Sequence, residues 1–318
     1  MRGSANSFAV SGLNVLCGFS ISVLLARTLG PHDFGIYSFT LSLMLILSVS
    51  VQLGLPGLVT REVARYEFGR EWSLFRGLMR RAGQVVLGLS ALVVVLVGPI
   101  AVWTWHTSEP VILATGAWAF AMLPVVSLCI VVGAVLRGLR WVVLGQLPDK
   151  VLRPVCLLVL LIIALFNGGL QPVQAMALHF VAAAIALVVG IYSYVRLLPE
   201  EVKTSQPEYA TSTWIRGALA FSVIAGFAQI TAQSGIIILG LLETQEAVAQ
   251  YRVAVSLGVL VVFTLSAVNV VIGPHIARMY TAGDTQRLQR VLTWSARGIV
   301  LVALPVTAIL VLFGVPIL

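Results

Sequence analysis

The chain has 318 residues, of which 59% are hydrophobic and only 10% charged, with a formal net charge of +8 and a mean hydropathy of +1.02. A soluble domain carries about 25% charged residues, so the composition excludes one and implies a polytopic membrane protein. The positive balance does not indicate a nucleic-acid partner, which requires a basic stripe on a folded polar surface. Cys17, Cys129 and Cys156 fall in apolar runs without paired spacing or a nearby histidine, which indicates neither disulfide nor zinc.

Windows long enough to cross hydrocarbon fall at 8–29, 36–59, 82–104, 111–136, 154–166 with its flanks, 173–195, 218–242, 251–273 and 298–318, about nine transmembrane helices in all. The first has no small-residue cleavage site and, at about 22 residues, is too long for a signal-peptide core, so it reads as a retained span. It ends in LLARTLG, with Arg27 near its end. The turn GPHDFGIYS follows: Gly30 and Pro31 stop the helix, Asp33 suits a cap, and Gly35 permits a tight return. The result is a transmembrane hairpin whose second arm runs into GLPGLVTREVAR.

Beyond that arm the connections alternate between arginine-rich and arginine-free. Arg61, Arg65, Arg70, Arg76, Arg80, Arg81, Arg137, Arg140, Lys150, Arg153, Arg196, Lys203, Arg216, Arg278, Arg287, Arg290 and Arg297 assign one side to the cytoplasm, with the N-terminus on that side of the cytoplasmic membrane. The opposite turns, 30–35, 105–110, 167–172 and 243–250, lack Lys and Arg. Arg70 to Arg81 could lie on the membrane and attract an anionic lipid or a polyprenyl-phosphate headgroup, although topogenic charge alone accounts for it. Residues 196–217 are polar and helix-breaking, and read as a cytoplasmic linker between a first six-helix bundle (1–195) and the first three helices of a second (218–318).

The second unit repeats the first. Tyr37, Gln52, Arg61, Arg81 and Pro99 match Tyr251, Asn269, Arg278, Arg297 and Pro316 in one order at nearly one offset. An even number of intervening spans relates the copies by an axis along the membrane normal, with a site expected at their interface. The offset also implies that the second bundle stops after three of six helices, so that downstream sequence would encode the rest.

Polar groups inside a membrane are costly and face a neighbour or a water-filled cavity. Ser222, Gly226, Gln229 and Gln233 form one stripe at helical spacing in the seventh window, which could line a cavity or pack by interhelical hydrogen bonds. Asn14 and Ser20 point in different directions on the first window. Gln52 and Asn269 form a repeat-related pair. All twelve acidic residues fall in connections or at span ends, whereas a proton- or sodium-driven cation exporter needs an intramembrane carboxylate. The histidines are scattered, and His179, the intramembrane one, reads as a packing contact. The sequence contains no P-loop, metal cluster, nucleophile elbow or long outer loop, so neither an enzyme nor a cofactor is expected.

LLARTLGPHDFGIYS followed by GLPGLVTREVAR resembles the polysaccharide-biosynthesis branch of the multidrug/oligosaccharidyl-lipid/polysaccharide (MOP) exporter superfamily, the Wzx-type O-unit flippases. The resemblance implies an all-α two-bundle transporter fold around a cavity that opens alternately to either side. The implied cargo is a lipid-linked oligosaccharide on a polyprenyl diphosphate, used in surface polysaccharide synthesis. It further implies membrane lipids, and glycosyltransferases or a polymerase of the pathway, as partners. Cationic side chains in the cavity would hold the diphosphate: Arg27 occupies the arginine of the family's L-A-R-x-L-G pattern, and Arg252 lies on the same side. The candidate binding residues are therefore Arg27, Arg252, Gln229, Gln233, Gln52 and Asn269. The alternatives are a drug or metabolite antiporter of the same superfamily and, from another class, a non-transporting component that organises glycosyltransferases.

Overall fold

A computed structural model of the protein describes residues 2–105, 110–166 and 169–259, together with positions 262, 263, 289, 290, 293, 294, 297 and 304. Helical conformation over Arg2–Gln52 is interrupted at Gly30 (φ 78, ψ 169), giving α1 before it (2–29) and α2 after it (31–52). The left-handed φ suits glycine, and Pro31 opens α2 where its missing N–H costs nothing. A straight helix of this length would span about 77 Å. Instead, Ser7 accepts a hydrogen bond from Gln146 just beyond the end of α5 (Pro110–Gly138), and Thr60 donates to Ala134 in the last turns of that helix. Both ends of the pair therefore lie together, and the hairpin expected at Gly30 is present.

The second arm ends earlier than hydropathy indicates. Leu53 (φ 42) and Gly54 (φ 69) turn the chain at the end of α2, and Leu55–Gly69 is a separate helix, α3. A Cβ on Gly54 would lie 2.3 Å from the Ala218 carbonyl oxygen. The apolar residues Leu55, Leu58, Val59 and Val63 bury against neighbouring helices rather than continue a span. The third window is also longer than read: α4 is Trp72–Trp105 and carries Arg76, Arg80 and Arg81 in its first turns. The fifth gains its flank, because helical conformation runs unbroken from 147 to 166. There a π-helical turn, Pro148–Leu152, leads directly into α6, Arg153–Phe166. These 20 residues rise about 30 Å, enough to span.

Pro172–Leu197 (α7) opens with proline at its first turn and a capping box between Gln171 and Gln174. Its small buried residues Ala175, Ala182, Ala183, Ala186 and Gly190 allow it to approach α5 closely along its length. The polar stretch after it is docked rather than free. Glu200–Thr204 forms a short helix, α8, the Glu208 amide donates to the Ser73 carbonyl, and Arg76 donates to the Ser205 carbonyl. Thr211–Leu242 (α9) and a helix over 245–259 (α10) complete the described path. No strand occurs among the described residues. The expected ninth window, 298–318, apart from position 304, and most of the eighth lie outside them.

Two seams join residues 1–105 to residues 211–263. At the Gly30 end, Gly35 meets the backbone of Gln245, Phe39 sits on Gly240, and His32 Nδ1 lies 3.2 Å from Glu246 Oε1. At the arginine-rich end, Trp214 Nε1 donates to the Tyr66 hydroxyl (2.8 Å), and Arg61 lies over the Phe221 ring. Buried Glu62 is flanked there by Arg61 and Arg65, each 2.9 Å away. Between the ends, α1 follows α10: the Ser256 and Ser22 hydroxyls lie at hydrogen-bond distance (3.1 Å), and Phe8 stacks on Phe263 at 4.9 Å.

Candidate functional site

Residues 34–42 of α2 are all buried, although they include Tyr37, Ser38, Thr40 and Ser42. A helix buried all round is enclosed by protein; there Thr40 donates to the Ile36 carbonyl, whereas Ser38 Oγ and Ser42 Oγ are buried without a hydrogen-bond partner among the described residues. Tyr37, 3% exposed, lies with its hydroxyl 2.9 Å from Nδ1 of His179 on α7. Arg153 on α6 and Arg252 on α10 are both within electrostatic range of this pair. Asp149, four residues before Arg153 and so on the same helical face, lies 3.1 Å from its guanidinium. The Arg252 carbonyl accepts from Ser256, whose hydroxyl also reaches Ser22 on α1. Five helices, α1, α2, α6, α7 and α10, thus converge on one polar cluster.

Its charge is not balanced. Asp149 offsets Arg153, whereas Arg252, half-buried, has no Asp or Glu at ion-pair distance among the described residues. One uncompensated cation beside a tyrosine–histidine pair attracts an anion and repels a cation. A guanidinium also presents the planar donor fork that matches phosphate oxygens. No group of three or more metal-binding side chains occurs among the described residues.

The sequence-derived candidates are distributed unevenly around this cluster. Arg252 belongs to it. Arg27 lies on α1 three residues before Gly30 and is exposed. Gln52 is half-buried in the last turn of α2. On α9 the stripe Ser222, Gly226, Gln229 and Gln233 is half-buried between exposed neighbours, which turns it toward the protein. The Ser222 amide lies against Gly54, and Gly226 faces Val49. Gln233 Oε1 is buried without a hydrogen-bond partner among the described residues. Asn269 lies outside them.

Sequence reasoning missed Arg153, Asp149, Tyr37 and His179 as a group. The available signal was Asp149 and Arg153 at helical spacing just ahead of an apolar run too short to span alone. Extending that run backward through both prolines would have carried the pair into the membrane helix.

The model of the family described as "Polysaccharide biosynthesis protein" matches residues 1–280. No curated protein matches the chain. Among solved structures, the chain is similar to an inward-facing multidrug resistance MATE family transporter of the MOP superfamily. The TM-score is 0.72 at 16% identity, covering 98% of this chain and 71% of that one. It is also similar to the MATE multidrug transporter DinF-BH, with a TM-score of 0.61 at 14% identity, covering 98% and 73%. These likenesses establish the fold as that of MOP-superfamily exporters, a multi-pass membrane architecture, and the match over residues 1–280 places the chain in the polysaccharide biosynthesis protein family.

Proposed function

We propose that the protein translocates a polyprenyl-diphosphate-linked oligosaccharide across the cytoplasmic membrane by alternating access, without chemical catalysis. The observation that carries this reading is Arg252: an unbalanced guanidinium in a buried polar cluster, in a chain of the polysaccharide biosynthesis family. Arg27, near the Gly30 turn, supplies a second cation on the same side, and Gln229, Gln233 and Gln52 supply polar groups where α9 meets α2. The N-terminus and the arginine-rich connections face the cytoplasm. Residues 1–195 and 218–318 are the two units whose relative movement opens the cavity, with 196–217 joining them.

Drug antiport is the second reading, favoured by the multidrug transporters of similar fold. It differs in the charge of its cargo. Flipping of a lipid-linked oligosaccharide by the purified full-length protein in liposomes tests the role of each arginine. Arg252→Ala lowers the rate about tenfold or more, as loss of a charge-assisted hydrogen bond requires, and Arg252→Lys restores part of it. Arg27→Ala likewise abolishes flipping without loss of membrane abundance. Wild-type flipping by both alanine variants overturns the assignment.

A further inference from the structure

At the arginine-rich end, α3, α4 and α9 enclose a groove of about 420 Å³ that opens outward between α4 and α9. Its walls are apolar, formed by residues such as Leu55, Leu78, Val85, Gly88, Trp214 and Leu219, and no acidic residue lines it. The exceptions are Arg81, Gln84 and Thr211, which lie toward the ends of α4 and α9 nearest the linker. Arg81 lies 5.2 Å from the Tyr209 ring and donates from Nη1 to Gln84 Oε1 at 3.2 Å. Its Nε is buried without a hydrogen-bond partner among the described residues. Unsatisfied buried donors are rare in proteins, and this one belongs to a cation at the mouth of an apolar slot. Arg80, its neighbour in sequence, is exposed and does not line the groove.

We infer that this groove is a binding site for an anionic phospholipid of the adjacent leaflet, with an acyl chain between α4 and α9 and its phosphate on Arg81. Charge complementarity selects the headgroup: Arg81 is the charged side chain that lines the groove, no acidic residue lines it, and a phosphate oxygen completes the Arg81 donor set. Volume selects the tail, since the groove accommodates about one acyl chain and not a long polyprenyl chain. The site is separate from the polar cluster of α2, α6, α7 and α10, and the inference does not depend on the cargo assigned above. A lipid wedged there would join α4 of the first unit to α9 of the second.

The test measures thermal stabilisation and lipid retention of the purified chain in mixed micelles titrated with phosphatidylglycerol, phosphatidylcholine or a polyprenyl phosphate. Phosphatidylglycerol stabilises the wild type and phosphatidylcholine does not. Arg81→Gln weakens apparent affinity about fivefold, the value of one basic contact at an anionic surface, whereas Arg80→Gln leaves it within about twofold. Gly88→Leu keeps Arg81 and its protein contacts but fills the groove, since a Cβ at Gly88 meets nothing within 4 Å, and it abolishes the stabilisation. The proposal is overturned if Gly88→Leu retains wild-type binding, if Arg80→Gln loses as much as Arg81→Gln, or if polyprenyl phosphate displaces phosphatidylglycerol from the site.

Discussion

The two seams between the first helices and α9–α10 are built from different materials. At the Gly30 end the contact is mostly close backbone approach. Gly35 and Gly240 let chains touch, and the ion pair there, His32 with Glu246, has both side chains about half exposed, at 48% and 46%. At the arginine-rich end close approach at Gly54 is joined by buried polar contact: the Trp214–Tyr66 hydrogen bond crosses the seam, and Arg61, paired within α3 to Glu62, lies over the Phe221 ring. Small-residue contacts separate without stranding a donor or acceptor, whereas buried polar contacts do not. The Gly30 end is therefore the cheaper seam to open, which suits the direction of translocation proposed above.

Substitutions rank these contacts. The largest effect falls on Gly54→Val, which places a branched side chain at φ 69 with its Cβ 2.3 Å from the Ala218 carbonyl oxygen. Strain and overpacking together cost about 3 kcal/mol or more, read as loss of folded protein after solubilisation. Next is Tyr66→Phe, which leaves the Trp214 indole N–H buried and unpaired for about 1–3 kcal/mol. Thermal unfolding in detergent should show a clear decrease that Trp214→Phe in the same background does not deepen. If Tyr66→Phe unfolds with the wild type, the polar seam does not carry the difference.

The smallest effect is at the other end, where His32→Ala leaves thermal unfolding close to that of the wild type, because solvent screens a half-exposed pair. The Glu246 carboxyl is held below its ordinary value of 4.5 by its own backbone amide, then Thr244 and His32. A depressed carboxylate contributes stability that is present above the ordinary value and lost as pH falls through the lowered one. Wild type and Glu246→Gln should therefore differ slightly at neutral pH and converge on acidification below the carboxylate range. A difference that grows with acid would contradict this.

Much of the hairpin was legible because its chemistry is local. Gly30 and Pro31 mark the turn, whereas Gly35, read as permitting a tight return, lies inside α2 and instead lets the Gln245 backbone approach. The end of α2 was illegible, since Leu55, Leu58 and Val59 are as apolar as a span and hydropathy does not tell lipid from a neighbouring helix. Gly54 marked the break, but glycine also occurs inside membrane helices. The start of α6 was hidden by Pro148 and Pro154, which read as breakers; Pro148 occupies the first turn, where proline is tolerated, and Pro154 directly follows the π-helical turn. The stripe on α9 was visible as a face, whereas its partner on α2 was not. The polar cluster escaped because Tyr37, His179 and Arg252 are distant in sequence and each looks like an isolated polar residue.

The central claim concerns the sign of the cargo's charge. Reconstituted protein, given a radiolabelled polyprenyl-diphosphate-linked oligosaccharide in one set of liposomes and a cationic dye in another, tests it most directly. The account predicts that the oligosaccharide lipid crosses in an Arg252-dependent manner and that the dye is excluded. Transport of the dye without flipping of the lipid would contradict it.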